Sequence, residues 1–219
     1  MSYGYVGDTS TSIKQKVKNA GVLSVSDVLD LEGKGQFGGS LELIAEQTYS
    51  STVTAVDFTD IKQDIYDVHL LTVKNFKSVS SNNSPIGIQL YESGTLETAS
   101  VYEYALQVNS TAANSEDKST AFSIMKTCHT ATGGGVGKPN NFYCYLYDLG
   151  NSSKYSFQTS HSYGHDAFAG AGTVMNSHFG GGVLPQASLV DGIRVTTSTG
   201  TDLASFDIKL YGIKQIWVT

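Results

Sequence analysis

The sequence predicts an all-β fold, a two-sheet jelly-roll-like sandwich preceded by a short extended and helical N-terminal arm. Three observations carry this expectation. Only 16% of the 219 residues are charged, and 27 Ser, 21 Thr and 23 Gly take up the balance, leaving too little Ala, Glu, Lys and Leu for long helices. The 13 Tyr and 9 Phe supply large apolar side chains for burial, which argues against disorder. From Ser40 onward, strand-length segments of alternating polarity follow one another with no helical period between them.

Residues 1–39 read as an anchoring arm. In Ser12–Lys18 the order of residues places Lys14, Lys16 and Lys18 on one side of an extended segment. Ser24–Leu31 is the one short helix expected: Ser24 caps it with Asp27 three residues on, and Val25, Val28 and Leu29 share a face. Gly33–Gly39 then reads as a flexible joint. Such an arm cannot bury a core of its own and is expected to lie on something else or remain mobile. It carries four Lys against four acids, so the whole formal charge of −6 belongs to residues 40–219.

The body, residues 40–219, reads strand by strand as a display domain. Leu41, Leu43 and Ala45 alternate with Glu42, Ile44 and Glu46. Asp67–Phe76 puts Val68 and Leu70 on one face, Leu71 and Val73 on the other. Ile86–Tyr91 and Val101–Val108 follow, then a polar turn at Asn114–Lys118 and a strand over Phe122–Cys128. Phe142–Tyr147 alternates most cleanly, with Phe142, Cys144 and Leu146 on one face and Tyr143, Tyr145 and Tyr147 on the other. Ile193–Thr197 and Phe206–Leu210 close the series. Nine or ten strands without intervening helices, and no repeat of fixed period, favour a sandwich over a propeller or β-helix.

Charge and motifs exclude several function classes. The basic residues are 13 Lys and one Arg, Arg194, a poor set for reading phosphates or bases in a chain of net charge −6. No apolar run approaches a membrane span, and Met1–Ser12 lacks the basic and apolar regions of a secretory signal, so residence in a reducing cytoplasm, or exit by a route other than secretion, is expected. Cys128 and Cys144 read as two free thiols in the core, with a pairing across a hairpin as the alternative. Gly133–Lys138 departs from a phosphate loop, because Thr132 stands where its first Gly is needed and Pro139 where its Ser or Thr is needed.

His161, His165 and Asp166, with His178 beyond, invite a metal site. The segment around them is too rich in Gly and Ser for a helix, and on a strand His161 and His165 would stand roughly 13 Å apart. They read as loop or surface histidines. Asp57 with Asp60, and Glu116 with Asp117, are imaginable as hydrolytic dyads but are expected beside turns as solvated carboxylates. Neither catalysis nor a cofactor is therefore expected. Tyr143, Tyr145 and Tyr147 are the remaining candidates: a row of three rings can pack within the sandwich, meet a neighbouring subunit, or stack on a sugar ring.

The wording of the chain resembles a family. Gly21-Val-Leu-Ser-Val-Ser-Asp-Val28 and Gly38-Gly-Ser-Leu-Glu-Leu-Ile-Ala-Glu-Gln-Thr48 are similar to the opening of virion proteins from marine tailed phages, especially those of cyanobacteria. Val56–Lys62, Tyr66–Leu70, Tyr147–Phe157, Val190–Val195 and Lys209–Lys214 extend the resemblance over most of residues 20–215, leaving out Ser110–Asn140. It implies a structural protein on the particle exterior, assembled in the host cytoplasm: a capsid knob or decoration, or part of a fibre. Its partners would be shell, tail or fibre proteins and copies of itself, with a homotrimer by analogy. A host-surface glycan or receptor is the partner if the chain is a fibre-tip adhesin. The resemblance carries no site residues.

Overall fold

A computed structural model of the chain describes residues 41–78, 85–128, 140–167, 173–200, 203–204 and 206–213. The arm with Lys14, Lys16, Lys18, Val25, Val28 and Leu29, the Gly33–Gly39 joint and the Gly133–Lys138 loop lie outside these residues. The described residues form strands β1 (Leu41–Tyr49), β2 (Ala55–Phe58), β3 (Val68–Ser78), β4 (Ile86–Glu92), β5 (Thr95–Leu96), β6 (Tyr102–Ser110) and β7 (Asn114–Phe122). They continue with β8 (Met125–Lys126), β9 (Asn140–Tyr147), β10 (Ser156–Ala167), β11 (Thr173–Leu184), β12 (Val190–Thr197), β13 (Leu203–Ala204) and β14 (Phe206–Ile213).

Two sheets result, and they are unequal. The larger has nine strands in the order β1-β14-β3-β9-β10-β11-β6-β7, with β13 also against β3. The smaller has five, in the order β2-β12-β4-β5, with β8 against β4. The all-β sandwich expected from composition and alternation is therefore the fold. One apolar cluster joins the sheets: Leu71, Val73, Phe142, Cys144, Leu146, Ile208 and Leu210 from the larger meet Val56, Ile88, Leu90, Ile193 and Val195 from the smaller. Each of these side chains is at most 1% exposed apart from Phe142 at 4%, so each contributes roughly 1.5–3 kcal/mol of transfer free energy.

Local sequence explains the irregular points. β3 carries a bulge between Val73 and Phe76, and Asn75 takes the left-handed conformation there (φ 59°), with its backbone N–H donating to Asn141 Oδ1 at 3.0 Å. The bulge restores Phe76 to the core, where it is fully buried. Arg194 on β12 grips Asp57 on β2 with two hydrogen bonds of 2.7 and 2.9 Å and reaches the Tyr91 hydroxyl on β4 at 3.2 Å. The only Arg of the chain thus fastens three strands of the smaller sheet.

Three sequence expectations change. Asn114–Lys118 is not a turn but the first half of β7, an edge strand. Its charges on both faces hide the alternation and also blunt an unpaired edge against other chains. Phe122–Cys128 is not one strand: β7 ends at Phe122, and only Met125–Lys126 of the remainder is extended, as the short β8 that pairs with β4 in the other sheet. The largest difference is β10 and β11, each of 12 residues, which form a long hairpin through a segment read as loop.

Candidate functional surface

The site is built on four neighbouring strands of the larger sheet, β9, β10, β11 and β6. On β9, Phe142, Cys144 and Leu146 are buried, and Tyr143, Tyr145 and Tyr147 point to the opposite, outer face. The smaller sheet packs on the inner side, so the tyrosines do not pack inside the sandwich. β10 turns Phe157, Thr159, His161 and Tyr163 to the same outer face, and β11 adds Ser177, Phe179, Gly181 and Val183.

Antiparallel register converts these residues into rows across the strands. One outer row runs Tyr147, Phe157, Val183, Glu103. The next runs Tyr145, Thr159, Gly181, Ala105, Lys118, and the third Tyr143, His161, Phe179, Gln107, Glu116. The middle row is small through its centre, at Thr159, Gly181 and Ala105, while the rows on either side carry rings. The outer face therefore holds a trough whose walls stand roughly 13 Å apart, running across the strands rather than along them. Its β9 end is a hollow of about 580 Å³ lined by Tyr143, Tyr145, Tyr147, Thr159, His161 and Phe179. Its β6–β7 end is a hollow of about 750 Å³ that includes Phe157, Gly181, Ala105, Val183, Glu103 and Lys118.

Gly181 is required by close approach. A Cβ there would lie 2.6 Å from the Gln158 carbonyl oxygen, so no larger residue fits without moving β10. The walls are solvent-facing, with Tyr143 40%, Phe157 45% and Phe179 50% exposed. Tyr143 and Tyr145 meet edge to face at 6.1 Å, and Tyr145 and Tyr147 stack at 6.5 Å. Polar groups are threaded between the rings. The Tyr147 hydroxyl pairs with Thr159 Oγ1 at 3.1 Å, and His161 links the Tyr143 hydroxyl through Nδ1 at 3.5 Å to Ser177 Oγ through Nε2 at 3.0 Å.

The other candidates separate. His161 and His165 lie on the outer side of β10, both with partial or full exposure, whereas His178 is buried on the inner side of β11, so alternation keeps the three apart. Among the described residues no cluster of His, Cys, Asp or Glu is placed to hold a metal ion. Cys128 and Cys144 are both buried and are not joined in a disulfide, and burial pushes the Cys144 thiol far above its ordinary pKa. The imagined acidic dyads are instead tied to cations. Asp57 lies within β2 on Arg194, whose hydrogen bonds hold its carboxyl below the usual carboxylate range, and Asp60 pairs with Lys62 at 2.8 Å. Glu116 and Asp117 lie within β7 and pair with Lys118 and Lys126, each at 3.0 Å.

Sequence reasoning found the β9 tyrosines and missed Phe157, Thr159, Phe179 and Gly181. The missed signal was present: Phe157, His161 and Tyr163 recur at even spacing, which is the strand period. No protein-family model and no curated protein matches this chain.

Proposed function

We propose that the chain is a non-enzymatic structural protein of a tailed-phage particle, displayed on the particle surface as a capsid knob or decoration. Residues 1–39 are its anchor and the sandwich of residues 40–219 its display domain. The observation that carries this reading is the outer face of the larger sheet, where rings from three adjacent strands stand in solvent among the described residues. An aromatic surface of this kind is a contact surface rather than a by-product of folding. The segment-by-segment resemblance to virion proteins supports the particle as the setting. The acidic, Ser- and Thr-rich body suits an exterior position through hydration and mutual repulsion. Partners are then shell, tail or fibre proteins and further copies of the chain, a trimer being the symmetry adopted by analogy with projecting domains.

Mass spectrometry and antibody labelling of purified particles test the reading: the chain is expected on the exterior. Deleting residues 1–31 is expected to leave a folded body that no longer joins particles. Absence of the full chain from particles would sink the proposal, and normal incorporation of the truncated chain would remove the anchor. A second reading, a fibre-tip adhesin, is favoured by one specific observation, the trough between the aromatic rows, because a surface used only for assembly has no need of an open channel.

A further inference from the structure

The trough combines three properties that together select a ligand class. Its shape is linear, with its small-residue floor crossing β10, β11 and β6 between two rows whose rings stand on β9, β10 and β11 and whose β6 members are Glu103 and Gln107. Its chemistry is mixed: the rings of Tyr145, Phe157 and Phe179 offer apolar faces, while the Tyr143, Tyr147 and Thr159 hydroxyls offer donors and acceptors between them. Its β9 end is lined by Tyr, Thr, Ser, His, Phe and Gly with no Asp, Glu, Lys or Arg, and those residue types enter only at the far end with Glu103 and Lys118.

We propose that this trough binds an extended, neutral glycan. Sugar rings have apolar C–H faces that pack on aromatic side chains and hydroxyl rims that need both donors and acceptors, and the trough supplies both in alternation. A polypeptide strand is a poorer occupant. It would lie on the face of a sheet whose backbone groups are already paired within the ladder, so its own N–H and C=O groups would go largely unmatched; strand addition requires an edge. An acidic polysaccharide would find no Lys or Arg at the β9 end to pair with. The inference rests on the reading of this face as the outward contact surface of a displayed domain.

The test uses the full chain with maltohexaose, cellohexaose and mannohexaose as neutral probes and a hexameric oligogalacturonate as the charged comparator. Titration calorimetry and ligand-observed NMR report binding, and circular dichroism and sedimentation report fold and mass. At least one neutral hexamer is expected to bind in preference to the charged one. Phe179→Ala removes a wall and should weaken binding about tenfold, the equivalent of one stacked ring. Ala105→Tyr fills the floor from an exposed strand position and should abolish binding at the β6 end, lowering affinity for hexamers more than for disaccharides. Failure of every neutral hexamer to bind at millimolar concentration overturns the proposal, as does unchanged affinity in both variants or preference for the charged comparator. An oligomer that falls to monomer with Phe179→Ala also overturns it, since a second copy would then occupy the face. Particle incorporation is scored separately: loss of glycan binding with normal incorporation defeats the trough alone, and binding by a chain absent from particles defeats the virion setting alone.

Discussion

Strands β9 and β10 lie side by side in the same sheet, and their inner faces are opposites. β9 buries Phe142, Cys144 and Leu146; in register beside them, β10 buries Ser162, Ser160 and Gln158. On the outer face both carry rings, Tyr143, Tyr145 and Tyr147 on one and Phe157 and Tyr163 on the other. In β9 the core and the outer surface are both provided for. In β10 the apolar residues have gone outward and the hydroxyl residues inward, against the usual direction of burial. The difference teaches that the composition of β10 answers to its outer face. Its inner face has to be only small and tolerably polar, and part of its hydrogen-bonding capacity is met locally, as where Gln158 Nε2 donates to the Lys126 carbonyl at 3.0 Å.

The comparison breaks most visibly at Leu146. This side chain has no exposure, and Leu146→Ala should cost about 3 kcal/mol in urea unfolding, because the cavity lies between two packed sheets. A loss no larger than that of a surface substitution would mean that β9 does not carry the core.

Lys126, whose carbonyl receives Gln158, comes next. Its ammonium pairs with Asp117 at 3.0 Å and lies over the rings of Phe122 and Tyr104 at 4.7 and 5.0 Å. Burial alone would lower its pKa, but the bonds to Tyr104 and Asp117 prevail and the net shift is upward. Lys126→Met strips a nearly buried carboxylate of its cation while leaving it the Tyr104 hydroxyl, and should cost about 2 kcal/mol by the same measurement.

A smaller effect, read as a slope rather than a step, is expected at His69 on the apolar side of the sheet. Its Nε2–H donates to the Ile61 carbonyl at 2.7 Å, and Nδ1 has no partner among the described residues. Burial disfavours the imidazolium and holds its pKa below the ordinary 6.5. Below 6.5 the unfolded chain therefore takes up a proton that the folded chain resists. The stability due to the neutral ring is complete above that pH and declines as pH falls toward the depressed folded value. Unfolding measured between neutral and mildly acid pH should show this slope, and His69→Gln should flatten it.

Ser160 should give the smallest effect. Its Oγ is buried opposite Cys144 without a partner among the described residues, so Ser160→Ala removes a desolvated hydroxyl and leaves no new orphan. Stability is expected to stay within about 0.5 kcal/mol of the parent or to rise slightly. A clear loss would show that the inner hydroxyls of β10 act as a bonded network.

How far the chain could be read follows from the same contrast. β3, β4, β6, β9, β12 and β14 were legible because apolar residues at every second position mark a buried face, as Ile86, Ile88 and Leu90 do on β4. β10 was not legible, because its buried residues are Ser and Gln and its exposed ones aromatic, which cancels the expected polarity without removing the period. Asn114–Lys118 reads as a turn because an edge strand has little to bury. The candidate site was half visible: Tyr143, Tyr145 and Tyr147 stood out, but the residues facing them did not.

The amino-acid sequence by itself determined the all-β class, the separation of β9 into an apolar and a tyrosine face, and the placement of net negative charge on the body. These are consequences of composition and of a two-residue period, both local properties of a chain. Only the tertiary structure decided that β9 lies beside β10, that β11 lies beside β6, and that Thr159, Gly181 and Ala105 therefore align into one floor between the two outer rows. Register between strands distant in sequence depends on the bulges, hairpins and shared core of the whole sheet. The trough belongs to that register, and no single strand contains it.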